Sequence, residues 1–342
     1  MNNSGHGGPA PIVVWGAGAM GGCIGASLVR EGTEVLFVDR AEDHVRAMNQ
    51  AGLQITGPVE EFSVRVRAAI PPEVKGRFPL CLLCVKSHDT NDALDQLAPH
   101  LADDGAVVSI QNGLCEHEIA DRVGPERTIG AFVNFGADYL EPGVIYRGNR
   151  GATVVGELDG TLTDRIGRIH RLLQTFEPNA VLTDNIFGYL WGKLAYASLL
   201  FASALTNDSI ADVLAEESFR PTLMALAQEA VAVALAQGVE LESFDGFDPE
   251  AFRPGGELGR AASTLDDLVG FNRASGKTHS GIWRDLAVRK RRTEVDAQLG
   301  WIVRLGARKG VPTPLTQGVI QQIHEIESGA RALDRENMRE LG

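Results

Sequence analysis

Lys193 is the one charged side chain in the stretch 186–205, IFGYLWGKLAYASLLFASAL. The neighbours Ile186, Phe187, Leu190, Trp191, Leu194, Leu199, Leu200 and Phe201 predict an apolar helix. Burying an ammonium among them costs several kcal/mol unless it is paired. Two readings follow from the residues. Lys193 lays its stem on apolar surface and its tip in water, or it faces an active site, where a desolvated lysine with a lowered pKa gives up a proton. A second chemical feature is GAGAMG at 16–21, which fits G-x-G-x-x-G. It follows the β-rich run IVVW (12–15), opens a helical pattern through Val29, and is followed by a second strand, EVLFVD (34–39), that ends in Asp39. That context is a dinucleotide fingerprint. Gly16 allows the turn, Gly18 the approach of a pyrophosphate and Gly21 close helix–strand packing. Ala17, Ala19 and Met20 complete the loop, and the helix N-terminus offers N–H donors to the phosphates. Asp39 suits the two ribose hydroxyls of NAD, whereas Arg40 beside it suits the 2′-phosphate of NADP. A carboxylate repels that phosphate, so the pair favours NAD.

Further candidates fall where strands end. Lys86 closes LCLLCV (80–85) and Asn112 follows AVVSI (106–110) in a Gln–Asn–Gly turn. In open α/β sheets, ligands bind beyond the carboxyl ends of the strands. Lys86 can there meet phosphate, ribose or a substrate anion, and Asn112 the nicotinamide ribose or a substrate hydroxyl. Each also has a plain reading, as a solvated loop lysine and a turn former. The stretch 279–306 reads as one long helix with an apolar stripe of Ile282, Leu286, Val295, Leu299, Ile302 and Leu305. Within it Glu294 sits near the core face, either to pair with Lys193 or a substrate hydroxyl, or as a surface glutamate in a charged helix. Ser280 is placed as an N-cap, with His279 before it. RKRR (289–292) forms a solvated face or draws an anionic substrate.

Strand and helix signals alternate from residue 12 to about 110, which implies a doubly wound parallel sheet. Extended segments broken by Pro142–Gly143 and Gly148 follow over 131–157. From about Thr161 the strands stop and helical patterns cover 161–175, 185–205, 208–217, 219–237, 258–272, 280–306 and 313–328. Residues 241–259 are a Gly/Pro/Asp-rich connection. The expected fold is therefore α/β, with an N-terminal Rossmann-type doubly wound domain over 1–183 and a C-terminal all-helical substrate and dimerisation domain over 184–342. Two domains also suit 342 residues.

A net charge of -13 argues against nucleic acid and anionic membranes as partners, though not against an anionic substrate in a local basic pocket. No uncharged apolar run is long enough to span a bilayer. The N-terminal MNNSGHGGPAP lacks a basic start and an apolar signal segment and reads as a floppy tail. Its His6 has no ligand partners nearby. Cys23, Cys81, Cys84 and Cys115 read as small buried hydrophobes of a reducing cytoplasm. Cys81 and Cys84 would lie on opposite strand faces, and no zinc-type spacing is present, so no metal is expected.

Taken in order, GAGAMGG (16–22), CVKSHDT (84–90), SIQNGL (109–114), EPGVIYRGNRGATVVGE (141–157), LWGKL (190–194) and RRTEVD (291–296) resemble the ketopantoate reductase family across nearly the whole chain. The resemblance implies a Rossmann domain followed by a helical one, and hydride transfer from reduced nicotinamide to the ketone of a 2-oxo acid. It implies that Lys193 is the lysine that protonates the developing alkoxide and that Glu294 is the acidic active-site residue. Asn112 then matches an active-site asparagine, and Lys86 a lysine near cofactor and substrate. The sequence also departs from the pattern. Asparagines one and two turns beyond the lysine stand here as Ala197 and Phe201, with Ser198 or Ser203 as substitutes if the register shifts. A Ser–Ser pair before the last long helix is His279–Ser280, and one extra residue lies between Asp285 and Glu294. Ala197, Phe201, His279 and Ser280 are thus the expected substrate-side positions. A site that loses hydrogen-bonding partners loses its discrimination for the group they held. The expectation is family chemistry on a substrate other than ketopantoate, more apolar or aromatic, by a homodimer. Ketopantoate reduction itself, an imine- or opine-forming reductase and a dinucleotide-binding sensor without turnover are the competing readings.

Overall fold

The computed structural model describes residues 11–274 and 278–342. His6 lies outside the described residues. By its contacts the chain divides into two compact units, Met1–Ile186 and Phe187–Gly342.

Among the described residues the first unit carries twelve strands. They are β1 (Ile12–Trp15), β2 (Val35–Val38), β3 (Leu53–Thr56), β4 (Phe62–Val64), β5 (Arg67–Ala69), β6 (Phe78–Leu83), β7 (Leu101–Ser109), β8 (Thr128–Val133), β9 (Ala137–Glu141), β10 (Val144–Arg147), β11 (Thr153–Glu157) and β12 (Val181–Leu182). Eight form one sheet in the order β12-β11-β8-β7-β6-β1-β2-β5, parallel except between β8 and β11. Its helices are α1 (Ala19–Arg30), α2 (Glu42–Ala51), α3 (Thr90–Leu97), α4 (Cys115–Val123) and α5 (Asp164–Gln174). Apolar residues alternate between the two faces. Val14, Phe37, Leu82, Val108 and Ile129 join one core, and Val13, Val38, Cys81, Leu83 and Val107 the other. Burial on both faces explains why these strands read as continuous apolar runs. The order reverses between β1 and β6, so the open edge beyond β1, β6 and β7 is the switch point at which such sheets bind ligands.

Two features depart from the sequence reading. Strands do not stop at Thr161, because β12 pairs in parallel with β11. A second, four-stranded sheet has the order β4-β3-β10-β9. The run FSVRVRAA (62–69) alternates like one strand but divides: β4 pairs with β3 in the small sheet, and β5 pairs with β2 in the large one.

The second unit is helical. Its helices are α6 (Ile186–Ser203), α7 (Ile210–Ala215), α8 (Arg220–Ala236), α9 (Leu258–Ala274), α10 (Gly281–Trp283), α11 (Val295–Lys309), α12 (Pro314–Glu327) and α13 (Glu336–Leu341). The expected single helix over 280–306 is interrupted. After α10 the chain makes a wider π-helical turn, Arg284–Arg289. Lys290 then adopts a left-handed conformation (φ 50°) and α11 begins only at Val295. Four adjacent cations on one helix would repel at i,i+3. Instead Asp285 accepts from Arg289 Nη1 (3.0 Å) and Arg291 Nε (2.9 Å), and the Arg291 N–H donates to the Asp285 carbonyl. No helix among the described residues is long and apolar enough to cross a membrane.

Candidate active site

The glycine loop is shaped by contacts that exclude side chains. Gly16 has φ +95°, and a Cβ there would lie 2.7 Å from the Val85 nitrogen. A Cβ on Gly21 would lie 2.1 Å from the Gly16 carbonyl oxygen. At Gly18 a Cβ would meet nothing within 4 Å, so the loop is open there. Gly18 is the N-cap of α1 and supplies no capping side chain, and the first turn carries no acidic residue. Its N–H donors and positive dipole end are left for an anion. Gly16, Ala17 and Gly21 are buried, whereas Gly18, Ala19 and Met20 are half-buried. These residues fit a dinucleotide pyrophosphate.

Asp39 follows β2, and its Oδ1 accepts the Ala41 N–H at 2.9 Å. Arg40 is exposed and pairs with Asp89 at 3.2 Å. The ends of β6 and β7 are stitched together. Gln111 Nε2 donates to the Val85 carbonyl (3.1 Å) and to Thr90 Oγ1 (2.8 Å), while Ser87 Oγ donates to the Asn112 carbonyl (2.7 Å). The Cys84 N–H in turn donates to the Trp15 carbonyl at 2.7 Å. These bonds gather the glycine loop, Lys86 and Asn112 at one edge of the sheet. Lys86 is exposed and Asn112 half-buried. All four cysteines are free thiols. Burial pushes those of Cys23, Cys81 and Cys115 up to about 12, so none is a thiolate near neutral pH.

In the second unit Lys193 is half-buried, between the buried Trp191 and Leu194. The glycine before it is required. A Cβ on Gly192 would fall 2.8 Å from the Glu242 carbonyl oxygen, and the Glu242 N–H donates to the Gly188 carbonyl at 3.3 Å. The segment 242–252 therefore lies against α6. It carries Phe244, Phe247 and Phe252, and the Tyr196 ring packs 6.2 Å from Phe244 and 5.4 Å from Phe247. Burial raises the pKa of the Tyr196 phenol, which hydrogen-bonds Asn272 of α9. The sequence reading treats this segment as a mere connection. Its signal was three phenylalanines in a Gly/Pro-rich stretch.

Farther along α6, Ala197 is nearly and Phe201 completely buried. Ser198 Oγ donates to the Ala195 carbonyl and Ser203 Oγ to that of Leu200. Both hydroxyl protons are held by the helix itself, so neither serine replaces an amide as donor. Ser280 caps α10, its Oγ accepting the Trp283 N–H at 3.1 Å. The His279 ring lies 4.0 Å from that of Trp283, and its nitrogens bond Thr278 and the Asn207 carbonyl. Both residues thus have structural engagements of their own. Glu294 is buried, 9% exposed, and occupies the N-cap of α11 rather than the middle of a helix. Thr293 before it is clamped by Glu327 of α12, which accepts the Thr293 N–H (2.7 Å) and hydroxyl (2.8 Å).

Comparison with known proteins bears on this arrangement. Residues 12–160 match the family model described as ketopantoate reductase PanE/ApbA, and residues 185–327 match its C-terminal counterpart. The chain belongs to the ketopantoate reductase family. A 2-dehydropantoate 2-reductase of Mesorhizobium japonicum is 28% identical over 92% of this chain and 97% of its own. Another, from Pyrococcus abyssi, is 30% identical over 68% of this chain and 76% of its own. Among solved structures, a ternary complex of D-mandelate dehydrogenase with NADH and anilino(oxo)acetate superposes with a TM-score of 0.78. It is 21% identical, covering 93% of this chain and 99% of that one, a likeness of fold. This member of the ketopantoate reductase family is a nicotinamide-dependent oxidoreductase acting on a CH–OH group.

Proposed function

We propose that this reductase converts a 2-oxo acid with an aromatic or branched apolar substituent to the 2-hydroxy acid, with NADH preferred over NADPH. The nicotinamide, when bound, supplies the hydride. The chain's own residues do the rest. Lys193 donates a proton to the carbonyl oxygen as negative charge develops there. Glu294, at the N-terminus of its helix, orients the ammonium or a substrate hydroxyl. Asn112 and Lys86 hold the nicotinamide ribose and the substrate carboxylate at the sheet edge.

One observation carries the substrate reading. Beyond Lys193, α6 offers Ala197 and a fully buried Phe201, and its serine protons are held by helix carbonyls. These α6 positions offer a hydroxylated substrate no side-chain amide, and on the lysine's helix Tyr196 packs with the buried Phe244 and Phe247 in an aromatic cluster. The D-mandelate dehydrogenase of like fold, seen with an anilino-substituted oxo acid, accords with this. The preference for NADH rests on Asp39, and on Asp89, which pairs with the guanidinium that a 2′-phosphate would need.

The test is NADH and NADPH oxidation with ketopantoate, benzoylformate and 4-methyl-2-oxopentanoate, each with and without added amines. Benzoylformate or the branched oxo acid should give the higher kcat/KM. A higher kcat/KM for ketopantoate overturns the substrate reading. Turnover that requires an amine identifies an imine-forming reductase, and cofactor binding without any turnover a sensor.

A further inference from the structure

We propose that His44 is a positioning residue for the phosphate-binding loop, holding the Ala17–Gly18 peptide so that the Gly18 N–H faces the pyrophosphate. The proposal rests on the reading of residues 16–21 as the pyrophosphate site. His44 lies in the first turn of α2, with no exposed surface. Its Nδ1 accepts the Gly143 N–H at 2.9 Å. A nitrogen that accepts carries no proton, so the imidazole proton is on Nε2. Nε2 lies 2.9 Å from the Ala17 carbonyl oxygen and donates to it.

A trans peptide is planar, with its C=O and N–H pointing in opposite directions. Fixing the Ala17 carbonyl toward the interior therefore turns the Gly18 N–H away from it, at the residue where the loop is open. That donor adds to the unpaired N–H groups of the first turn of α1. A flipped peptide would present a carbonyl to the phosphates, which repels them. Simple packing does not account for this residue. An apolar side chain would fill the space but leave a buried carbonyl and a buried N–H unsatisfied. Gly143, which orients the imidazole, sits in the β9–β10 turn at φ +81°. Tyr139 of the same hairpin packs edge-on against His44, 5.0 Å between ring centres. The small second sheet thereby sets the geometry of the loop on the large one.

The experiment measures binding of ADP and of adenosine to the full chain by calorimetry, with thermal midpoints recorded in parallel. In His44→Gln the amide nitrogen occupies the place of Nε2 and keeps the bond to Ala17. In His44→Asn the shorter amide keeps the acceptor for Gly143 and loses Ala17. The Gln variant should bind ADP within about threefold of the natural protein, and the Asn variant about tenfold or more weakly, a charge-assisted hydrogen bond being lost. Adenosine affinity should be unchanged in both. Equal behaviour of Asn and Gln, or a parallel fall for adenosine and ADP, overturns the proposal. A natural protein that binds ADP no better than adenosine overturns instead the reading of the loop. Should the Asn variant not fold, nitrogen NMR of the His44 ring in the natural protein decides. An Nε2–H tautomer is expected, and an Nδ1–H tautomer overturns the assignment.

Discussion

Lys193 is the one cation of an otherwise uncharged helix, and its position is half-buried. A proton donor for an alkoxide must be close to the oxygen yet replaceable from solvent, and partial burial suits both demands. Lys193→Ala should lower kcat by about 10²- to 10⁴-fold, the usual worth of a positioned acid. NADH affinity measured by nucleotide fluorescence should stay within a few-fold. A large loss of cofactor affinity with kcat intact would instead make Lys193 a binding residue. Asp39 carries a second prediction at this scale. Its Oδ1 is engaged by the Ala41 N–H, which fixes the carboxylate at the end of β2. Asp39→Ala should raise the ratio of kcat/KM for NADPH to that for NADH by about tenfold, from relief of charge repulsion and loss of a ribose contact. An unchanged ratio would mean that the ribose is read elsewhere.

Glu294 illustrates why elements matter as much as residue types. Periodicity alone places it inside a long helix; the chain puts it at a helix start, after a π-helical turn and a left-handed Lys290. Thr293 is tied to Glu327, and its Oγ1 also accepts the Val295 N–H at 3.3 Å, so both neighbours of Glu294 are fixed. Glu327→Ala should therefore lower kcat about tenfold, and in a Glu294→Gln background should lower it no further, which a double-mutant cycle measures. Additive losses would show that Glu327 acts on stability alone. This element also marks the limit of what the sequence disclosed. Strands β1, β2, β6 and β7, the glycine loop and α6 were legible because each is an apolar run or a glycine pattern with local meaning. The break at 290–294 was not, because it depends on Asp285 gathering two arginines that periodicity reads as surface. The small sheet was missed for a similar reason. FSVRVRAA alternates correctly, and only tertiary pairing decides that its two halves enter different sheets. The phenylalanines of 242–252 became meaningful only when Gly192 was seen to admit that segment against α6.

Across the molecule, charge is arranged so that the net -13 is offset locally. Within the first unit the small sheet is joined to the flank of the large one by a buried cation. Arg147 of β10 is 1% exposed. It pairs with Glu60, lies 3.6 Å from Glu177, and stacks 4.0 Å from the centre of the Phe176 ring. Arg30 and Arg150 extend the chain of charges at 2.7 and 3.1 Å. Removing one partner of a buried pair leaves the others uncompensated, at a cost of about 3–5 kcal/mol. Arg147→Met should accordingly lower the thermal midpoint by roughly 10 °C. The same network dictates a pH dependence. Burial alone would raise the Glu60 carboxyl, but hydrogen bonds from Arg30 and Arg147 outweigh it and hold its pKa below the ordinary value. A carboxyl with a lowered folded pKa binds fewer protons folded than unfolded. Its contribution is complete above the unfolded pKa and is lost as pH falls through the folded one. Unfolding midpoints recorded from pH 7 to pH 3 should thus fall less steeply in Glu60→Gln than in the natural protein, with the two curves converging at the acid end. Parallel curves across that range would mean that Glu60 carries no coupling between proton binding and the joining of the two sheets.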